Sequence, residues 1–251
     1  MKITKTTVKL LLIGFCTTAA SSKEIVTDRP DATESSSVVL PGYFQTEMGW
    51  KYSEDGQIQT HAIPQTMVRI GLVDRVELRL GWDGYMDRNS AGSGSGAGDG
   101  EVGTKIYLGE ERGAFPEAAL AGSVSIPWGD KEISSDEVDP SFRFAFSHTL
   151  SEKLSLGYNL GAEWETENNS TLGTFIYTIA LGVGLTREIG MFVEFFGDIG
   201  LSASGTAHTF DGGFTYLLRE NIQLDIFGGA GLTRSAEDWF AGAGISFRLP
   251  N

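Results

Sequence analysis

Residues 75–86, RVELRLGWDGYM, place Val76, Leu78, Leu80 and Trp82 at every second position, with Arg75, Glu77, Arg79, Gly81 and Asp83 between them. Strict alternation reads as a β-strand with one apolar and one polar face. The polar face carries both signs of charge on neighbouring positions. The same period returns from Gly42 to the end of the chain. Phe44, Met48, Trp50 and Tyr52 oppose Gln45, Glu47 and Lys51; Val68, Ile70 and Leu72 oppose Gln65, Met67 and Arg69. Phe142, Phe144 and Phe146 oppose Ser141, Arg143, Ala145 and Ser147, and Leu154, Leu156, Tyr158 and Leu160 oppose Ser155 and Asn159. Read this way throughout, the chain predicts twelve strands.

The connections alternate as well. Those after every second strand are tight: VDR, GEERGAF, SE, REIG and REN. Those between are polar and mostly longer: SEDGQIQTHAI, DRNSAGSGSGAGD, GDKEISSDEVD, TENNST, SASGTAH and RSAED. An outer-membrane barrel has this parity, with short turns on the periplasmic side and longer loops outside. A β-sandwich or a lipocalin-like barrel shares the strand alternation but turns its apolar face inward. Twelve strands around one large apolar interior would fill poorly, whereas twelve strands facing lipid need no such filling. The reading is therefore an all-β, antiparallel transmembrane β-barrel spanning 42–251. Tyr43, Trp50, Tyr52, Trp82, Tyr85, Trp128, Trp164 and Trp239 fall near strand ends, as girdle aromatics do, although aromatics are common in strands generally.

Ahead of the barrel, residues 1–20 read as an export signal: Lys2, Lys5 and Lys9, the apolar run LLLIGF, then small residues ending at Ala20. Cys16 is the only cysteine and lies within it, so disulfide and thiol chemistry are excluded from the exported part. The chain carries 19 Lys plus Arg against 33 Asp plus Glu, a net charge of −14, which excludes a nucleic-acid partner. No cofactor or metal motif stands out. GDGEVG (98–103) follows a loop and opens a strand, the wrong context for a dinucleotide site. The acidic loop with Asp136, Glu137 and Asp139 reads as solvated charge or as a divalent-cation bridge to lipopolysaccharide. His208 and Asp211 near Asp99 are the sole catalytic candidates, and a weak set.

Given an outward apolar face, the polar face lines a lumen. Its first half offers Lys51, Arg69, Arg75, Arg79, Lys105 and Arg143 interleaved with Glu47, Glu77, Asp83, Glu101 and Glu117. Its second half offers Glu163, Glu165, Glu194, Asp198, Asp211 and Asp225, opposed by Arg248. One wall is mixed to basic and the other acidic, a transverse field that can orient a dipolar or amphiphilic solute. The structural alternative is that these charges pair across strands and hold the barrel's shape.

The stretches TDRPDATES (27–35), LPGYFQTEMGW (40–50) and GDGEVGTKIYL (98–108) resemble the MetA-pathway of phenol degradation family of outer-membrane barrels. The resemblance implies a channel or transporter, with some members linked to aromatic-compound catabolism. It also draws attention to the lead segment, 21–41, and its motif residues Asp28, Arg29, Pro30, Asp31 and Glu34. Two readings stay open. The lead folds into the lumen, Arg29 meeting the acidic wall and Asp28 or Asp31 the basic one, or it is a disordered periplasmic tail. The expected function is passive passage of small solutes, aromatic or amphiphilic ones being the candidates; the alternative is a structural or adhesive barrel with a closed lumen. Expected partners are outer-membrane lipid and lipopolysaccharide, the barrel-assembly machinery that receives such chains, and the solute itself.

Overall fold

A computed structural model describes residues 24–250 apart from 90–93, 136, 168–169 and 202–204. The export signal expected over 1–20 lies outside the described residues. The described chain contains fourteen strand segments: β1 (Phe44–Asp55), β2 (Ile58–Val73), β3 (Val76–Trp82), β4 (Tyr85–Asn89), β5 (Ser95–Ala97), β6 (Gly100–Gly109), β7 (Glu117–Ile126), β8 (Pro140–Thr149), β9 (Leu154–Glu167), β10 (Ser170–Gly184), β11 (Ile189–Gly200), β12 (Thr206–Arg219), β13 (Ile222–Gly231) and β14 (Trp239–Leu249). Two pairs are single strands interrupted once: β3 with β4 at Asp83–Gly84, and β5 with β6 at Gly98–Asp99. Twelve strands result. Each pairs antiparallel with its neighbour, and β1 pairs with both β2 and β14, which closes the sheet into a barrel with no free edge.

The two faces of this wall are inverted relative to a soluble protein. Ile226 on the outside is 58% exposed, whereas Arg69, Glu77 and Lys105 on the inside are each 0% exposed. Large apolar side chains on every barrel strand form the outer surface, and the interior holds the charge. This is the arrangement that lipid favours, since strands cross a bilayer when their backbone groups are paired and their outward band is predominantly apolar.

Short turns such as Asp74–Arg75 and Glu220–Asn221 gather at one rim; the other rim carries the longest connections, together with two short ones, β1–β2 and β9–β10. Two expected loops are largely strand: in TENNST, Thr166 and Glu167 end β9 and pair with Thr171 and Ser170 at the start of β10. In place of SEDGQIQTHAI, β1 runs on to Asp55 and β2 begins at Ile58, so the two arms rise together as a tall hairpin turning at Gly56, which takes φ +59°. A two-residue hairpin turn needs that left-handed backbone, and glycine adopts it without strain. Ile58–Ile63 of the second arm does not alternate between apolar and polar residues, which is why it reads as loop.

Candidate functional site

The lead segment lies inside the barrel. It enters at the turn rim, where Ile25 N donates to Glu220 O at 2.7 Å, arches through the interior, and leaves past β3 and β2, where Val39 N donates to Glu77 Oε2 of β3 at 2.7 Å and Pro41 bridges to Gly71 of β2. Polar strand residues hold its backbone at several points. Glu47 Oε2 accepts from Asp28 N and Arg29 N at 2.9 and 3.0 Å. Glu194 accepts from Ala32 N at 2.7 Å and from the Thr33 hydroxyl, which also reaches Thr178. Asn159 clasps Glu34 twice, accepting from its N–H at 2.7 Å and donating to its carbonyl at 3.0 Å. A segment of irregular backbone can rest inside the barrel because protein groups, many of them charged, take up its N–H and C=O groups.

The lead's charges divide between the walls. On one side, Asp28 Oδ2 lies 2.6 Å from Arg79 Nη1, 2.9 Å from Lys105 Nζ and 3.3 Å from Arg69 Nη1. Glu34 joins it, 3.2 Å from both Arg79 Nη2 and Lys105 Nζ. Register makes this convergence: β2, β3 and β6 are neighbours, with Arg69 directly opposite Arg79 and Glu77 directly opposite Lys105. Arg69 is additionally held by the wall's own Glu77, 2.9 Å from its Nε, and by Glu47, 3.0 Å from its Nη1. On the other side, Arg29 Nη2 donates to Asp225 Oδ1 at 2.9 Å, and its guanidinium lies 5.6 Å from the Phe227 ring centre. The slot it occupies is made by Gly49 of β1 and Gly244 of β14, directly opposite each other; a Cβ on either would overlap the guanidinium.

Above and below the lead are cavities. Pro30 and Asp31 help line one of about 530 Å³ at the turn rim, together with Arg29, Lys153 and Phe192. Asp83, Glu101 and Glu163 line one of about 670 Å³ at the loop rim, together with Asp99, Asp139, Glu165 and Arg88. A smaller space of about 90 Å³, between Glu34, Arg79, Glu101 and Arg143, shares Glu101, Ser123 and Ser141 with the loop-rim cavity. Arg143 Nη1 also reaches Ala32 O at 3.4 Å. Asp99 fastens the loop that roofs the upper cavity, accepting from Gly129 N at 3.0 Å and Ser135 N at 2.9 Å. Burial would raise its pKa, but these donors, with the Ser134 and Ser135 hydroxyls, outweigh that and hold it below the ordinary carboxylate value.

The remaining expected residues take other places. Lys51 pairs with Glu237 at 2.6 Å and stands 4.7 Å from the Phe240 ring centre, near the loop rim. Asp198 is half-buried on β11. Arg248 is half-buried at the turn rim, 5.5 Å from the Tyr43 ring centre. Arg75 departs from the lumen position expected of it: it sits exposed in the β2–β3 turn at φ +73°, 5.8 Å from the Tyr107 ring centre. The alternation it began belongs to a strand that starts only at Val76. The His208–Asp211 grouping also dissolves, because the two residues face opposite ways on β12. His208 bonds Tyr177 Oη at 2.5 Å alongside outward-facing Phe195, while Asp211 is buried inside. Of the acidic loop, Asp136 lies outside the described residues. Interior residues that sequence reasoning passed over as sites are Asn159, Gln45 and Thr178, and the rings Phe192, Phe196, Phe227 and Phe240.

Residues 27–249 match the family described as "Putative MetA-pathway of phenol degradation". The chain belongs to this family. Its architecture recurs in the COG4313 outer membrane channel from Pseudomonas putida F1, at 13% identity and TM-score 0.59, covering 84% of this chain and 97% of that one. It recurs also in the KdgM porin, solved in complex with disordered oligogalacturonate, at 9% identity and TM-score 0.55, covering 82% and 98%. No curated protein matches the sequence. At these identities the likeness is one of fold: a closed twelve-stranded antiparallel barrel of the outer-membrane kind.

Proposed function

We propose that the protein is an outer-membrane channel for passive passage of small solutes, with its lead segment acting as a removable plug. The turn rim faces the periplasm and the loop rim the exterior. The observation that carries the reading is the closed, outwardly apolar barrel whose polar interior holds cavities of about 670 and 530 Å³ on either side of a non-covalently seated lead. A barrel built only as a scaffold needs neither space. Phe196, Phe227 and Phe240 give the interior an apolar strip suited to aromatic or amphiphilic solutes. The role is transport and not catalysis, and its setting is the outer membrane of a Gram-negative cell. Liposome swelling tests this, using the full chain and a variant lacking residues 23–38 with a panel of sugars and aromatic acids. The expected result is slow flux for the full chain and fast flux for the variant. No flux for any solute in either protein favours the alternative of a closed structural or adhesive barrel.

A further inference from the structure

Two wall charges depend entirely on the lead segment. Lys105 is 0% exposed, and every hydrogen bond and ion pair its ammonium makes among the described residues goes to the lead: both Asp28 oxygens at 2.9–3.0 Å, Ser35 O at 3.1 Å, and Glu34 Oε2 at 3.2 Å. Across the interior on β13, the Asp225 side chain is also 0% exposed, and its only partner among the described residues is Arg29. Arg69, by contrast, keeps Glu47 and Glu77 from its own wall whether or not the lead is present. A charge buried this deeply is tolerated only when paired. Lys105 and Asp225 are therefore a cationic and an anionic seat that the wall leaves unpaired, and the adjacent residues Asp28 and Arg29 occupy them together.

Resting on the channel reading, we propose that Asp28 and Arg29 stand in for the solute: the seats select a small dipolar molecule carrying one carboxylate and one cationic nitrogen, and such a molecule opens the channel by displacing the lead. Arg79 Nη1, 2.6 Å from Asp28, reinforces the carboxylate seat. The Gly49–Gly244 slot and the Phe227 ring shape the other seat for a flat or bulky cation. The carboxylates of the loop-rim cavity, Asp83, Asp99, Glu101, Asp139, Glu163 and Glu165, attract the cationic end of an approaching solute and would repel a simple anion. The lead is tethered to β1, so its charges face the seats at an effective concentration of about millimolar, and a free competitor must exceed that.

Four blocked dipeptides separate the charges: acetyl-Asp-Arg-amide, acetyl-Asp-Gln-amide, acetyl-Asn-Arg-amide and acetyl-Asn-Gln-amide. Each is added to the folded full chain, and lead release is read as cleavage of the Glu34–Ser35 bond by a glutamyl endopeptidase, with product mapping by mass spectrometry. Single-channel recordings run in parallel. The doubly charged dipeptide at tens of millimolar is expected to speed cleavage and raise the open frequency about tenfold, the other three by less than about twofold. In Asp225→Asn the Arg side chain no longer helps, so acetyl-Asp-Gln-amide becomes equivalent to acetyl-Asp-Arg-amide. Equal effects of all four, or full effect from a single charge on the unaltered chain, overturn the dipolar seat. Conductance that none of the four changes selectively leaves the channel standing and removes this inference. Selective cleavage without conductance at any voltage does the reverse.

Discussion

Asp28→Asn removes one negative charge from a cluster in which the side chains of Arg69, Arg79 and Lys105 are 0–5% exposed and that of Asp28 is 8% exposed. Removing one partner of a buried ion pair costs about 3–5 kcal/mol, because the remaining charge stays desolvated without its counter-ion. Here the lower end applies. Glu34 still reaches Arg79 and Lys105, Glu77 still reaches Arg69 and Arg79, and the Asn amide oxygen can still accept one of the lost hydrogen bonds. The cost falls on the docked lead alone, since the undocked lead is solvated in either form. At about 1.4 kcal/mol per tenfold change, 3 kcal/mol shifts the docked-to-undocked ratio of the lead by roughly a hundredfold. Single-channel recording reads that ratio as the ratio of closed to open time. A closed-to-open ratio in Asp28→Asn within about threefold of the parent would refute the claim that these contacts hold the lead in place.

Other substitutions probe separate parts of the account. Gly244→Val fills the slot opposite Gly49 and expels the Arg29 guanidinium from Asp225, so the Glu34–Ser35 bond becomes cleavable; Gly109→Val, where a Cβ meets nothing within 4 Å, leaves cleavage unchanged. Leu160→Arg, on the outer wall at a residue 42% exposed, is expected to cost about 2–4 kcal/mol in folding into lipid vesicles, whereas the same change on a water-facing surface costs within about 0.5 kcal/mol. Asp99 has a folded-state pKa below its unfolded value, so its hold on the 127–139 loop is present above the ordinary carboxylate pKa of about 4 and is lost as pH falls through the depressed value. Amide exchange at Gly129 and Ser135 should therefore stay slow down to about pH 4 and quicken only below it; quickening already at pH 6 contradicts the assignment.

Much of the wall was legible because lipid enforces a period of two. Wherever a strand crosses the apolar belt, as at Phe142–Phe146 or Val76–Trp82, outward residues must be apolar and inward ones are free to be charged. Legibility failed where that constraint lapses. In the upper arm of β2, Ile58–Ile63 carries no alternation, so it reads as loop although it is strand. The interior rings were hidden for a related reason: Phe195–Phe196, Ile226–Phe227 and Trp239–Phe240 are apolar on both faces, and the second residue of each pair points inward. The charges of the candidate site were visible as residues, but not their meeting. Which of the interior bases would gather around Asp28 depends on strand register, which places Arg69 beside Arg79 and Glu77 beside Lys105. The Gly49–Gly244 slot likewise exists only because β14 returns beside β1 at barrel closure, a pairing between the first and last strands.

The central claim is that the lead segment, seated on both walls, closes a barrel that otherwise conducts. Planar-bilayer conductance of the full chain against the chain lacking residues 23–38 tests it most directly. A large, steady conductance in the shortened chain, with brief and rare openings in the full one, is the predicted result. Identical conductance in the two proteins would contradict the account.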